Sequence, residues 1–338
     1  MRIVVALGGN ALLRRSEPMT AQAQMANVQI AAEALADLAR DHQIIIAHGN
    51  GPQVGLLALQ GMAYDPTKLW PLDVLGAQTE GMIGYLIEQE MMNALSLTGR
   101  CATLLTRVEV DADDPAFANP TKPIGPVYAD TEAAQAVRDH GWTMVTEATG
   151  GKRRVVPSPA PLRILGLEAI SLLLEAGHCV ICAGGGGIPV LRTEEGLMAG
   201  VEAVIDKDST AALLARDLHA DALLLLTDVD AVYRDFGGPH ETSIGATTPT
   251  LLETLPLASG SMGPKVGAAI AFVRSGGRFA GIGQLSQARA ILEERAGTRL
   301  RPDPKDPRTP HGFHPKTSGF IGADQPISVW ADDGGGIV

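Results

Sequence analysis

Three short apolar runs in this chain each end in a cluster of glycines, and that arrangement narrows the possible folds more than any other feature. Gly8-Gly9-Asn10 follows the run Ile3–Leu7, Gly49-Asn50-Gly51 follows Ile44–Ala47, and Gly184 to Gly187 follow His178–Ala183. Short runs of aliphatic residues without polar alternation are the mark of strands buried on both faces, as in a parallel sheet. Glycine beyond the carboxyl end of such a strand lets main-chain N–H groups approach a ligand closely, and a helix starting there adds a favourable dipole for an anion. One such loop is ordinary punctuation. Three at the same end of an open α/β sheet favour an anion or phosphate site over plain turns.

Between the runs the apolar spacing turns helical. In Thr20–Arg40 the residues Met25, Val28, Leu35 and Leu38 recur at helical intervals, with Thr20 placed to cap the first turn. The same spacing predicts helices over Val74–Ser96, Pro161–Ala176, Ser209–Leu218, Pro264–Ser275 and Leu285–Ala296, and strands over Cys101–Thr106 and Leu223–Thr227. Strand and helix in alternation imply a mostly parallel sheet covered on both faces. Two stretches break the rhythm. Residues 116–157 are rich in Pro, Gly and charge and read as a small inserted subdomain. Residues 302–338, with prolines at 302, 304, 307, 310, 315 and 326, read as an extended appendage to a main domain over 1–301.

Composition excludes several function classes. A net charge of −11 weighs against a nucleic-acid or anionic-membrane surface, although a small anion needs only a few local cations. No run has the length of a membrane span, and Met1 to Leu7 pass into an apolar strand with no basic leader, so a cytoplasmic protein is expected. Three cysteines, an odd number, fit a reducing compartment. Cys179 and Cys182 form a C-x-x-C, but residues three apart on a strand point to opposite faces, so both are expected in the core rather than on a metal.

The usual nucleotide fingerprints are missing. No G-x-G-x-x-G opens a helix, and Gly151-Lys152 is followed by Arg153 where a phosphate loop needs Ser or Thr. Lysines beside acids at helix starts are the remaining candidates. Lys207 and Asp208 precede the helix that begins at Ser209, and Lys265 follows Met262-Gly263-Pro264 at the head of another. Asp208 alone reads as a helix cap and Lys265 alone as a surface lysine. Together they fit a phosphoryl-transfer site, where fixed positive charge surrounds the equatorial oxygens and a carboxylate positions the two lysines. Lys122, among prolines in the insertion, is the weakest candidate taken singly. His48 reads as a structural histidine, with a base role as the alternative. Asp228 and Asp230, after the Leu223–Thr227 strand, read equally as Mg²⁺ or ribose contacts and as loop acids.

These segments together resemble the carbamate kinases, a branch of the amino acid kinase family. The matching stretches are Ala6–Leu12, His48–Gly55, Leu72–Tyr85, Asn119–Pro126, Arg153–Pro159, Cys182–Pro189, Gly200–Asp208, Leu226–Tyr233 and Ser261–Lys265, collinear from residue 1 to about Gly297. The resemblance implies a three-layer αβα sandwich with a protruding subdomain near 116–157, and a homodimer. It implies phosphoryl transfer between carbamoyl phosphate and ADP, giving ATP and carbamate. Gly8, Gly9, Asn10, Gly49, Asn50 and Gly51 would cradle the transferred group in the N-terminal half. Lys207 and Lys265 would stabilise its charge, Asp208 would organise them, and Lys122 would reach in from the subdomain. Asp228, Tyr233, Met262, Gly263 and Lys265 would surround the nucleotide, and Mg²⁺ would be held mainly by its phosphates and water. Other amino acid kinases tend to carry a lysine near the first glycine loop; here Leu7-Gly-Gly-Asn10 has none, and Lys122 is the candidate for that charge. A sibling kinase acting on another small acid, and a non-catalytic ligand sensor of the same fold, are the rival readings.

Overall fold

The computed structural model describes residues 1–12, 17, 20–65, 67–96, 100–147, 150–255 and 262–304. The chain runs β1 (Arg2–Leu7), a helical turn α1 (Gly9–Leu12), α2 (Ala21–Ala39), β2 (Gln43–His48), α3 (Gly51–Tyr64), α4 (Leu72–Ala94) and β3 (Cys101–Thr103). It continues with β4 (Arg107–Val110), β5 (Lys122–Tyr128), α5 (Asp130–His140), β6 (Thr143–Thr146), β7 (Lys152–Val156), β8 (Pro161–Ile164), α6 (Leu167–Glu175) and β9 (Cys179–Ile181). Next come β10 (Ile188–Arg192), β11 (Met198–Gly200), α7 (Lys207–Asp217), β12 (Ala222–Thr227), β13 (Val232–Arg234), β14 (Thr242–Ile244), β15 (Ala246–Thr247) and α8 (Pro249–Glu253). Finally, α9 (Met262–Arg274), β16 (Ala280–Gln284), α10 (Ala288–Leu292) and β17 (Thr298–Leu300) complete the order.

Eight strands form the central sheet in the order β15-β17-β16-β12-β1-β2-β9-β3. Every neighbouring pair is parallel except β16 with β17. Successive side chains of a strand feed opposite faces. Val4 and Ala6 of β1 join the apolar layer under α6, α7 and α9, while Ile3, Val5 and Leu7 join the layer under α2, α4 and α10. Each fully buried Val, Leu or Ile contributes about 1.5–3 kcal/mol, so the doubly buried central strands anchor the fold. Cys179 falls in one layer and Cys182 in the other, as their spacing predicts. Thr20 caps α2 by accepting from Ala23 N at 3.3 Å.

The loops beyond β3 build smaller sheets. β11-β10-β4-β8 forms one of four strands, and β5-β7-β6 with α5 forms one of three within residues 122–156. Gly55 of α3 lies so close to the β5 strand that a Cβ there would sit 2.7 Å from Gly125 Cα. Arg154 stacks 4.3 Å from the Trp142 ring centroid and pairs with Glu202 at 2.9 Å.

Three sequence expectations are corrected here. The stretch Pro161–Ala176 is not one helix: Pro161–Ile164 is β8, paired antiparallel with β4, and the helix starts only after Gly166, whose φ of 84° interrupts any helical run. Cys101–Thr106 leaves the sheet after Thr103, because Thr106 is recruited elsewhere (below). Leu285–Ala296 holds a single 3₁₀ turn and the short α10, closed by Glu294 at φ 61°. Of the C-terminal extension, residues 305–338 lie outside the described residues, as does Ser261 of the Ser261–Lys265 motif.

Candidate active site

Parallel strands end together, so the loops after β1, β2, β9 and β12 open at one edge of the sheet. Gly8 N donates to Leu226 O at 2.9 Å and Gly49 N to Leu7 O at 3.0 Å, which seats both loops against their neighbouring strands. Gly49 is required by a close approach: a Cβ there would lie 3.0 Å from Gly9 N and 3.5 Å from Lys207 Cδ. Gly8, Gly9, Gly49 and Lys207 therefore meet in one place, though they come from three separate parts of the chain.

At the head of α7 the carboxylate of Asp208 links the two lysines. Lys207 Nζ donates to Asp208 Oδ1 at 2.5 Å, and Lys265 Nζ from the first turn of α9 donates to Oδ2 at 3.2 Å. Asp208 and Lys265 are buried, at 2% and 4% exposure. Two ammonium groups this close would repel each other without the carboxylate between them. Burial pulls the Lys207 ammonium down from its usual range and Lys265 pulls it further, while Asp208 and Asp206 hold it up. Lys122 arrives from β5 and donates to Asp206 Oδ2 at 2.7 Å, one residue before Lys207.

Asn10 lies in the helical turn α1, and Asn50 and Gly51 open α3. The Asn50 side chain is buried and donates to Thr79 Oγ1 at 2.9 Å, packed against Gly185, where φ is +66° and a Cβ would meet it at 2.1 Å. That amide thus ties the second glycine loop to the third. Asp228 follows β12 and accepts from Thr227 Oγ1 at 3.0 Å. Tyr233 OH donates to Asp230 at 2.7 Å and its ring lies 5.9 Å from that of Phe236, which is largely exposed. Met262 and Gly263 share the first turn of α9 with Lys265.

Sequence reasoning passed over the groups that hold this frame. Glu80, 1% exposed, accepts from Gly184 N at 2.8 Å through one oxygen and from Thr106 N at 3.1 Å through the other. Burial drives its pKa up to about 8, against the pull of those two N–H groups. Thr106 Oγ1 in turn accepts from Ala183 N at 3.0 Å, and Thr210 donates to Gly186 O at 2.9 Å. The signal lay in the apolar stripe Leu72, Leu75, Ile83, Ile87 of α4, into which Thr79 and Glu80 intrude. His48 is fully buried beside Gly184, its Nδ1 3.2 Å from Gly49 O, and burial lowers its pKa to about 4. An imidazole so held is neutral at ordinary pH and has a structural place.

The chain matches the amino acid kinase family over residues 1–282. It is 55% identical over 301 residues to a carbamate kinase of Rhizobium meliloti, covering 88% of this chain and 92% of that one. It is 54% identical to a carbamate kinase of Haemophilus influenzae, covering 89% and 96%. Among solved structures, a carbamate kinase from Giardia lamblia bound to AMP-PNP superposes with a TM-score of 0.83 at 38% identity, covering 89% of this chain and 98% of that chain.

Proposed function

The chain belongs to the amino acid kinase family, and we propose from its site how it works as a carbamate kinase. The observation that carries the reading is the Lys207–Asp208–Lys265 bridge lying against the glycine tips of β1 and β2. In the ATP-forming direction a β-phosphate oxygen of ADP bonds to the phosphorus of carbamoyl phosphate. The bond from phosphorus to the carbamate oxygen breaks, and carbamate leaves to decompose into ammonia and carbon dioxide. The transition state is loose, with charge spread over three equatorial oxygens, so the protein's task is alignment and charge stabilisation. Lys207 and Lys265 supply the charge, Asp208 keeps them at a fixed separation, and Lys122 adds a third cation.

The amides of Gly9, Asn10, Asn50 and Gly51 hold the carbamoyl phosphate in the N-terminal half, while Gly8 and Gly49, whose own N–H groups bond to Leu226 O and Leu7 O, shape the loops that cradle it. Asp228, Tyr233, Met262, Gly263 and Lys265 frame the nucleotide in the C-terminal half. Among the described residues no three His, Cys, Asp or Glu side chains gather into a metal cage. Mg²⁺ keeps several waters and binds chiefly through substrate phosphates, which suits its arrival with the nucleotide, where it would neutralise phosphate charge. A cytoplasmic homodimer acting in nitrogen catabolism completes the reading. Tyr85 and Leu105 are both largely exposed, Leu105 lies against Gly81, one turn of α4 before Tyr85, and both would supply apolar contact area. No helix among the described residues is long and apolar enough to cross a membrane.

The test is ATP formation from carbamoyl phosphate and ADP by the purified protein. Lys207→Ala and Lys265→Ala are each expected to lower kcat by about 10²–10³-fold, the cost of losing one transition-state donor. Unchanged turnover in both variants rejects the charge clamp. Turnover with another small acid in place of carbamate, and none with carbamoyl phosphate, rejects the substrate.

A further inference from the structure

The two carboxylate oxygens of Asp206 have separate work. Oδ1 accepts from the N–H groups of Asp208 at 3.0 Å and Ser209 at 3.1 Å, which caps α7. Oδ2 accepts from Lys122 Nζ at 2.7 Å, across a sequence separation of 84 residues. A helix cap needs only the first oxygen, and Asn or Ser would serve equally well there. The second oxygen therefore calls for its own explanation. It holds an ammonium that would otherwise swing on a long, flexible stem, and it holds it one residue from Lys207, at the helix N-terminus where Lys207 and Asp208 stand.

The insertion that carries Lys122 rests on the body through an apolar cluster of Ile124 and Val156 with Val54, Leu72 and Leu75, and through two further contacts. Gly125 packs on Gly55, and Arg154 pairs with Glu202, which also accepts from Leu72 N at 2.8 Å. Neither contact fixes the Lys122 side chain, which is 31% exposed against 20% for its partner. We propose that Asp206 is a positioning residue for the phosphoryl transfer: one carboxylate organises the head of α7 and at the same time delivers the Lys122 ammonium from the inserted sheet to the anion site. This rests on the carbamate kinase reading and names a residue that brings one of its cations into place.

Asp206→Asn separates the two tasks. The amide oxygen still caps α7, while the amide nitrogen, a donor, now faces another donor on Lys122. In the full chain, with ATP formation as readout, the melting temperature is expected to stay within about 3 °C. The KM for carbamoyl phosphate is expected to rise about tenfold and kcat to fall, with the KM for ADP within about twofold. In a Lys122→Ala background the same substitution is expected to cost nothing further, because the two residues act as one unit. An effect of Asp206→Asn that persists undiminished in Lys122→Ala overturns the proposal, since the role is then the cap alone. A fall in KM also overturns it, because Asp206 is then merely an anion repelling the substrate. Lys122→Ala equal to wild type overturns it too, for there is then nothing to position. A wild-type protein that makes no ATP from carbamoyl phosphate overturns the functional reading, and the positioning role with it.

Discussion

Glu80 and His48 stand behind the glycine loops, both buried, with pKa values moved in opposite senses to about 8 and about 4. Their effects on stability can be worked out with sign. Glu80 binds its proton more tightly folded than unfolded, so between its ordinary value of 4.5 and about 8 its contribution falls as pH rises. His48 binds its proton less tightly folded, so between 6.5 and about 4 its contribution falls as pH drops. From about 4.5 to 6.5 the two slopes oppose each other. From 6.5 to about 8 Glu80 alone of the two acts, with a slope of at most ~1.4 kcal/mol per pH unit. Denaturant titrations of the wild type should show stability declining over that upper window, and Glu80→Gln should flatten the decline while starting from a lower value. An unaltered slope in Glu80→Gln would mean that Glu80 is ionised in the fold. Glu80 was among the least legible residues in the sequence, although His48 already read there as structural. Lys207 and Lys265 could be named because cations at helix starts stand out as candidates for an anion, and Asp208 because it is the acid beside one of them. A glutamate in mid-helix looks like surface until its helix is packed, and only then does it turn out to bridge Gly184 and Thr106.

At the level of elements, packing between α3 and β5 decides where Lys122 sits. Gly55→Ala would set a methyl 2.7 Å from Gly125 Cα and 3.2 Å from its N, and backbone cannot yield as a side chain tip can. The inserted sheet would have to lift from α3, while the central sheet, with its own two apolar layers, would keep its packing. The expected result is an unchanged far-UV circular dichroism spectrum with kcat/KM lowered about 10–100-fold, the scale of a misplacement near 1 Å. Retained activity would show that Lys122 reaches the site by side-chain motion alone. The long elements were readable because their signals are redundant: α2 has its Thr20 cap and its apolar stripe, and β1, β2 and β12 are doubly buried. Short elements failed where local and tertiary signals disagree. Leu162 and Ile164 fit the helical spacing of α6, yet Gly166 and the pairing of Ile164 with Val108 put them in a strand. The three-stranded sheet of 122–156 was legible as an insertion but not as strands, because Pro123 and Pro126 mask the pattern in β5.

For the whole molecule, the position of the site follows from topology. After β1 the chain crosses to α2 on one face, whereas after the neighbouring β12 it reaches α9 on the other. Loops leaving adjacent strands toward opposite faces part from each other, and the gap between them is where open α/β sheets hold ligands. The glycine tips and the lysine-bearing helix starts border that gap, so the site is complete once α9 is in place. The rest of the fold closes soon afterwards. Leu300 is fully buried in β17, Thr298 accepts from Val232 N at 2.9 Å and donates to Ile244 O at 2.5 Å, and Arg301 N donates to Thr247 O at 3.2 Å. Asp303 accepts from Thr250 at 2.9 Å. Backbone and side-chain ties of this kind, not sequence position, decide whether a terminus can be cut. A protein ending at Pro304 retains all of them and both lysine helices. Its kcat and KM for carbamoyl phosphate and ADP should stay within about twofold of the full chain, and its melting temperature within about 3 °C. A tenfold loss of kcat/KM on this truncation would mean that residues 305–338 reach the crevice or brace the lysines. The catalytic unit would then extend beyond the central sheet and its helices.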